Sequence, residues 1–295
     1  LLEAGHDMKT KSKIWLGVGA FVVAGTGATG AGAPLPAETP VAGIGEFRLA
    51  TDTAIPHAAG MMLAQHADHL KEGEAGESQA IANLPADLAF AVRIALLRGH
   101  LLIGDELVKQ QQWNAALPHF LHPTEEIYGD LKDQLAEYKV PPFDGALKTL
   151  ADVVKGKKGA GYAGALKAVN DALTAVDAGM KQRQTDWTGF VTESAIEALK
   201  TAANEYDGAI VKGMIAKPVE YQDARGFIWQ AERMIESVAA DLQKKDADAL
   251  KQVRTGLADL KKVFPAAVPP RTPVKDHAAV LAIVARIELA AGKLM

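Results

Sequence analysis

Residues 145–176 read GALKTLADVVKGKKGAGYAGALKAVNDALTAV. Apolar residues recur three and four positions apart on both sides of Lys155-Gly156-Lys157-Lys158-Gly159, which is the spacing of a single helix face. The interruption is polar and glycine-rich, so the stretch predicts two helices joined by a solvated turn. The same grammar extends over most of the chain. It predicts helices at about residues 53–70, 86–111, 114–138, 143–156, 161–182, 187–212, 219–243, 246–263 and 274–293. No stretch alternates convincingly at period two, so no sheet is expected. Pro85 and Pro218 fall where a first-turn proline costs no hydrogen bond, and Asp186 and Asp246 can cap helix N-termini. Pro265, Pro269, Pro270 and Pro273 set the last helix apart from the rest. The expected fold class is all-α, a multi-helix up-and-down bundle. Residues 234–264 (MIESVAADLQKKDADALKQVRTGLADLKKVF) echo the helix pair in residues 145–176. Two similar helical halves would produce such an echo, and so would a shared Ala/Leu/Lys composition.

Composition agrees with the helical pattern. The chain has 295 residues, 48% hydrophobic and 23% charged, with only 6% aromatic residues. Alanine is the best helix former, whereas strands favour β-branched and aromatic residues. The formal net charge of −4 comes without a long basic block, which argues against general nucleic-acid binding. Cysteine is absent, so disulfides, thiolate metal sites, cysteine nucleophiles and iron–sulfur clusters are excluded.

The N-terminal region reads as an export signal over residues 8–33. Lys9, Lys11 and Lys13 precede an apolar run from Ile14 to Ala24, and Ala31-Gly32-Ala33 is a small-residue cleavage pattern. Met8 reads as the start, with Leu1 to Asp7 upstream of it. The apolar run is short for a membrane span, and no second long apolar stretch follows. The expected product is periplasmic, without a membrane span once the signal is cleaved. Residues 34–50 read as a flexible tether, and residues 51–295 as the helical bundle domain.

Histidines are grouped. His66 and His69 lie three apart near Met61-Met62, and His100 sits between Gly99 and Gly104 in RGHLLIGDEL. His119 and His122 lie three apart in PHFLHPTEEIY, followed by Glu125 and Glu126. Residues three apart on a helix are neighbours, and imidazole with carboxylate at that spacing suits zinc, iron or copper. Pro123 interrupts the predicted helix and frees the carbonyl of His119. The break could swing the following carboxylates towards the imidazoles. A second constellation comprises Glu205-Tyr206, Glu220 to Phe227 (EYQDARGF) and Glu232. It suits either a hard cation or Arg225–carboxylate pairs that fix helix register. Motifs for a nucleophile elbow, a zinc-peptidase helix or a phosphate loop are absent.

RGHLLIGDEL with ALPHFLHPTEEIYGDL is similar to a group of exported bacterial helical proteins that carry an R-G-H-L-L-x-G-x-E-L stretch and an H-P-x-x-E-x-Y motif. AANEYDGAIVKGMIAKPVEYQDARGFIW, residues 202–229, resembles the periplasmic helical region attached to some high-affinity iron permeases. The His122/Glu125 pair more loosely resembles imelysin-like iron-uptake proteins, whose motif is G-x-H-x-x-E; here Phe120 stands where that motif has glycine. The resemblance implies a transition-metal protein of iron uptake or delivery, with an inner-membrane metal permease as partner. The expected metal site is His119, His122 and Glu125 or Glu126, with His100 as a ligand or supporting group from the neighbouring helix. Iron is favoured, with copper or zinc as alternatives. The rival expectations are a non-metal binding or scaffold module for a lipid-like or tetrapyrrole ligand, and an imelysin-like peptidase.

Overall fold

The computed structural model describes residues 81–295, and the export signal, the tether and the 53–70 helix expected from the sequence lie outside the described residues. Among the described residues, eleven α-helices follow one another: α1 (Ala86–Lys109), α2 (Trp113–Ala116), α3 (Pro118–His122), α4 (Tyr128–Leu135), α5 (Asp144–Lys155), α6 (Gly159–Arg183), α7 (Trp187–Ala209), α8 (Pro218–Ser237), α9 (Ala239–Lys245), α10 (Ala247–Val263) and α11 (His277–Ala291). Helix α7 packs along α8, α8 along α1, α11 against α10 and α7, and α5 against α6. The all-α, multi-helix expectation is met, although the expected helix 114–138 is divided among α2, α3 and α4 and the expected helix 219–243 between α8 and α9.

The capping residues act as their chemistry dictates. Asp186 accepts from the Gly189 N–H, Asp246 from Ala249 and Asp276 from Ala279, each at 2.8–2.9 Å. Each carboxylate satisfies a first-turn donor that has no partner within the helix. Pro218 occupies the first position of α8, where its missing N–H costs nothing. The expected solvated turn at residues 155–159 is present, with Lys157 in the left-handed region.

One departure from the sequence reading lies between α7 and α8. A small antiparallel hairpin pairs Ile210 with Ile215 and Val211 with Met214. Its two central residues, Lys212 (φ 53°) and Gly213 (φ 74°), both have positive φ, as a primed two-residue turn requires. Two residues per strand are too few to show period-two alternation, and the apolar run Ala209-Ile210-Val211 continues the helical pattern without a break.

Pro123 does not end its helix. A π-helical turn, Pro123–Ile127, carries the chain from α3 into α4, and a 3-10 turn, Ala136–Tyr138, closes the segment. The wider turn accommodates the ring that an α-helical register would crowd. Thr124 donates its hydroxyl to the Phe120 carbonyl at 2.8 Å, engaging one backbone acceptor beside the break.

Glycines set the central crossing. A Cβ on Gly226 of α8 would run into the Gly99 carbonyl of α1, and one on Gly99 would lie 2.5 Å from the Phe227 ring. The two backbones therefore touch where both residues lack side chains. A Cβ on Gly104 would lie 2.6 Å from the Phe120 ring, so this glycine seats α3 on α1. His100 and Asp223 flank the crossing and are drawn together by it.

Candidate metal centre

Three helices meet in the centre of the bundle. Helix α1 supplies His100, α3 supplies His119 and His122, and α8 supplies Gln222 and Asp223. His100 and His119 are wholly buried, and His122, Gln222 and Asp223 nearly so. An uncompensated carboxylate this deep is costly, so it must be paired. Asp223 Oδ1 lies 2.7 Å from His100 Nδ1 and 2.8 Å from His119 Nδ1. Burial pushes the Asp223 carboxyl up, but the two imidazoles more than reverse this and hold it well below the usual carboxylate range.

His119 is engaged on both sides. Its Nε2 lies 3.0 Å from Gln222 Oε1. The orientation of that amide is fixed, because Gln222 Nε2 donates to the Ala267 carbonyl at 3.1 Å. Both nitrogens of His119 thus lie within hydrogen-bond distance of side-chain oxygens. Its geometry orients Asp223 rather than leaving a lone pair for an ion.

His122 differs. Its ring stands edge-on to His100, with centroids 5.2 Å apart. Its Nε2 is buried and has no hydrogen-bond partner among the described residues. Burial is the largest influence on its protonation and outweighs the attraction of Asp223, with His100 and His119 adding to the effect. The ring is pushed down to about 3 and is neutral at pH 7. A neutral imidazole with a free nitrogen is the form that binds a metal. One ligand atom each from His100, His122 and Asp223 lie within 4.8 Å of one another, and among the described residues this is the group that could hold an ion. Two nitrogens and one oxygen suit the borderline transition metals.

The residues singled out by sequence fall into three positions. His100, His119 and His122 are brought together, as their helices allow. Glu125 is exposed and Glu126 half-buried, while the converging ligand atoms come from His100, His122 and Asp223. The π-turn keeps helical rotation going past Pro123, so the chain does not fold back on itself. Asp223 and Gln222 come from the second constellation, which the sequence presents as separate. Their signal was legible as two adjacent polar residues among Tyr221, Ala224 and Phe227, on a helix otherwise turned inward. Arg225 of the same stretch forms a bidentate pair with Glu106 of α1 at 3.0 and 3.1 Å. It also donates to the Phe264 carbonyl and lies 3.9 Å from the centre of the Trp229 ring. Arg225 is therefore a register lock, not part of a cation site.

Fold and site together define an all-α bundle with a buried histidine–carboxylate cluster at a helix crossing. Residues 181–295 match the family model of the iron permease-associated 4-helix bundle domain. The four long helices within that span are α7, α8, α10 and α11. Comparison with curated proteins and with solved structures gives no match. Among the described residues, no helix is long and apolar enough to cross a membrane.

Proposed function

We propose that this chain is an exported transition-metal-binding protein of iron uptake or delivery, working beside an inner-membrane metal permease. The ion, its cargo, is held by His122 Nε2, His100 and Asp223. His119 and Gln222 fix the carboxylate from behind, as supporting groups around a metal site commonly do. The observation that carries this reading is the convergence of three buried ligand atoms from three helices, one of them an imidazole nitrogen without a hydrogen bond. The match of residues 181–295 to an iron permease-associated domain supports iron over zinc or copper as the cargo.

The pairing of Asp223 with two imidazoles could also serve as packing alone. A purely structural cluster, however, gains nothing by leaving His122 Nε2 unsatisfied, since a buried polar atom without a partner costs about 1–3 kcal/mol. An entering ion would relieve that cost.

The test is elemental analysis of untagged protein purified from the periplasm, followed by titration calorimetry of the metal-free protein with iron, zinc and copper. His122→Ala should weaken binding by orders of magnitude and leave helicity intact. His277→Ala, at the start of α11, should leave binding unchanged. Equal affinity of His122→Ala and the parent for every metal would show the cluster to be structural.

A further inference from the structure

A cavity of about 340 Å³ opens on a face of α1 away from His100. Ile94, Ala95 and Arg98 line it, and Arg98 is about 200° around the helix from His100. The volume is within the range of small-ligand pockets. Its composition is divided. One side is aromatic and thioether: Met180 from α6, Trp187 and Phe190 from α7, and Met234 from α8. The Trp187 and Phe190 rings lie 6.0 Å apart and tilted by 30°. Flat polarizable surfaces and thioethers favour an aromatic guest.

The other side carries one unbalanced positive charge. Arg98 is taken up by Asp177 at 2.6 Å and by the Leu173 carbonyl at 2.9 Å, so this pair is neutral. Arg233 is exposed and makes no ion pair among the described residues. Beside it lies Gln230, a residue only 7% exposed. An amide lining a cavity offers a ligand both a donor and an acceptor. Arg98, Gln230 and Arg233 also line an adjoining cavity of about 120 Å³. The acid there, Asp105, is engaged by Lys109 at 2.6 Å and by the Tyr162 hydroxyl at 3.1 Å.

We propose that the cleft between α1, α6, α7 and α8 binds a small aromatic carboxylate. Its ring lies against Met180, Trp187, Phe190 and Met234, and its carboxylate is held by Arg233 and the Gln230 amide. The site is separate from the metal cluster and does not depend on the metal reading.

The experiment titrates the full chain with 3-phenylpropionate by calorimetry, with 3-phenylpropionamide as the uncharged control and octanoate as the aliphatic one. Saturable binding of the acid is expected with a dissociation constant below about 1 mM. The amide should bind about tenfold more weakly or worse, because it forfeits a charge-assisted contact. Octanoate should also bind more weakly than the aryl acid. Arg233→Gln, a change at an exposed position, should remove the preference for acid over amide, and Gln230→Leu should weaken the acid. His122→Ala should bind the acid as the parent does, so failure of the metal reading and failure of this one are distinguishable. Absence of saturation, equal binding of acid and amide, or unchanged affinity in both cleft variants would overturn the proposal. Octanoate binding as tightly as the aryl acid would overturn its aromatic component.

Discussion

Residues 81–183 bring imidazoles to the centre of the bundle, whereas residues 184–295 bring a carboxylate and an amide. His100, His119 and His122 come from the first region, Gln222 and Asp223 from the second, and the second falls entirely within the stretch that matches the iron permease-associated domain. The difference teaches where the site's chemistry is assembled. Neither region alone holds the converging group, and the Gly99–Gly226 contact between α1 and α8 makes it. The cleft for the proposed carboxylate follows the same division, with Arg98, Asp177 and Met180 facing Trp187, Gln230 and Arg233.

The sharpest way to break this arrangement is to push the regions apart. Gly226→Ala places a methyl group against the Gly99 backbone, where no flexible side chain can move aside. The variant should lose about 1–3 kcal/mol, as overpacking in a well-filled interior does. Thermal or urea unfolding checks this, and metal affinity should fall with it. Gly208→Ala, in the open at the end of α7, should be close to neutral.

Acid offers a second handle. Burial depresses His122 to about 3 in the folded protein, against about 6.5 when unfolded. The unfolded chain therefore takes up a proton that the folded chain refuses. Stability from this group is fully present above about pH 6.5 and is lost as pH falls towards 3. Its slope is about 1.4 kcal/mol per pH unit in that window. Urea titrations of metal-free protein at several pH values should show this slope in the parent and a flatter one in His122→Phe.

The remaining contrasts are smaller. The Arg225–Glu106 pair joins the two regions and is largely shielded, with only 9% of the Arg225 side chain exposed. A double-mutant cycle with Arg225→Gln and Glu106→Gln should return a coupling of about 1–3 kcal/mol. The Arg254–Glu236 pair lies within the second region, at 2.6–2.7 Å but on an open surface. The corresponding cycle there should give about 0.2–1 kcal/mol, diminishing with added salt.

Most of the helical frame is legible in the sequence because helices are local. The 3.6-residue recurrence of apolar positions, Pro218 and the capping aspartates each act within one or two turns. Gly99 and Gly104 stand out on either side of His100, but the sequence does not say what packs against them. What the sequence withholds is long-range pairing. Asp223 lies more than a hundred positions from either partner imidazole, and nothing in EYQDARGF says that its carboxylate turns towards α1 and α3 while Arg225 reaches Glu106. Glu125 and Glu126, adjacent to His122 in sequence, looked like its natural companions. A π-turn is set by how one ring is accommodated against the preceding turn, and no residue count reveals it. The hairpin at 210–215 escaped for the opposite reason, being too short to carry a pattern.

Asp223→Asn tests the central claim most directly, because it keeps the shape of the side chain and removes the charge that unites the two regions. The measurement is calorimetric titration of metal-free parent and variant with ferrous iron under anaerobic conditions. The account predicts a single saturable site in the parent and a loss of affinity of at least about a hundredfold in the variant, since one anionic ligand and the anchor for two imidazoles disappear together. Equal affinity in parent and variant would contradict it.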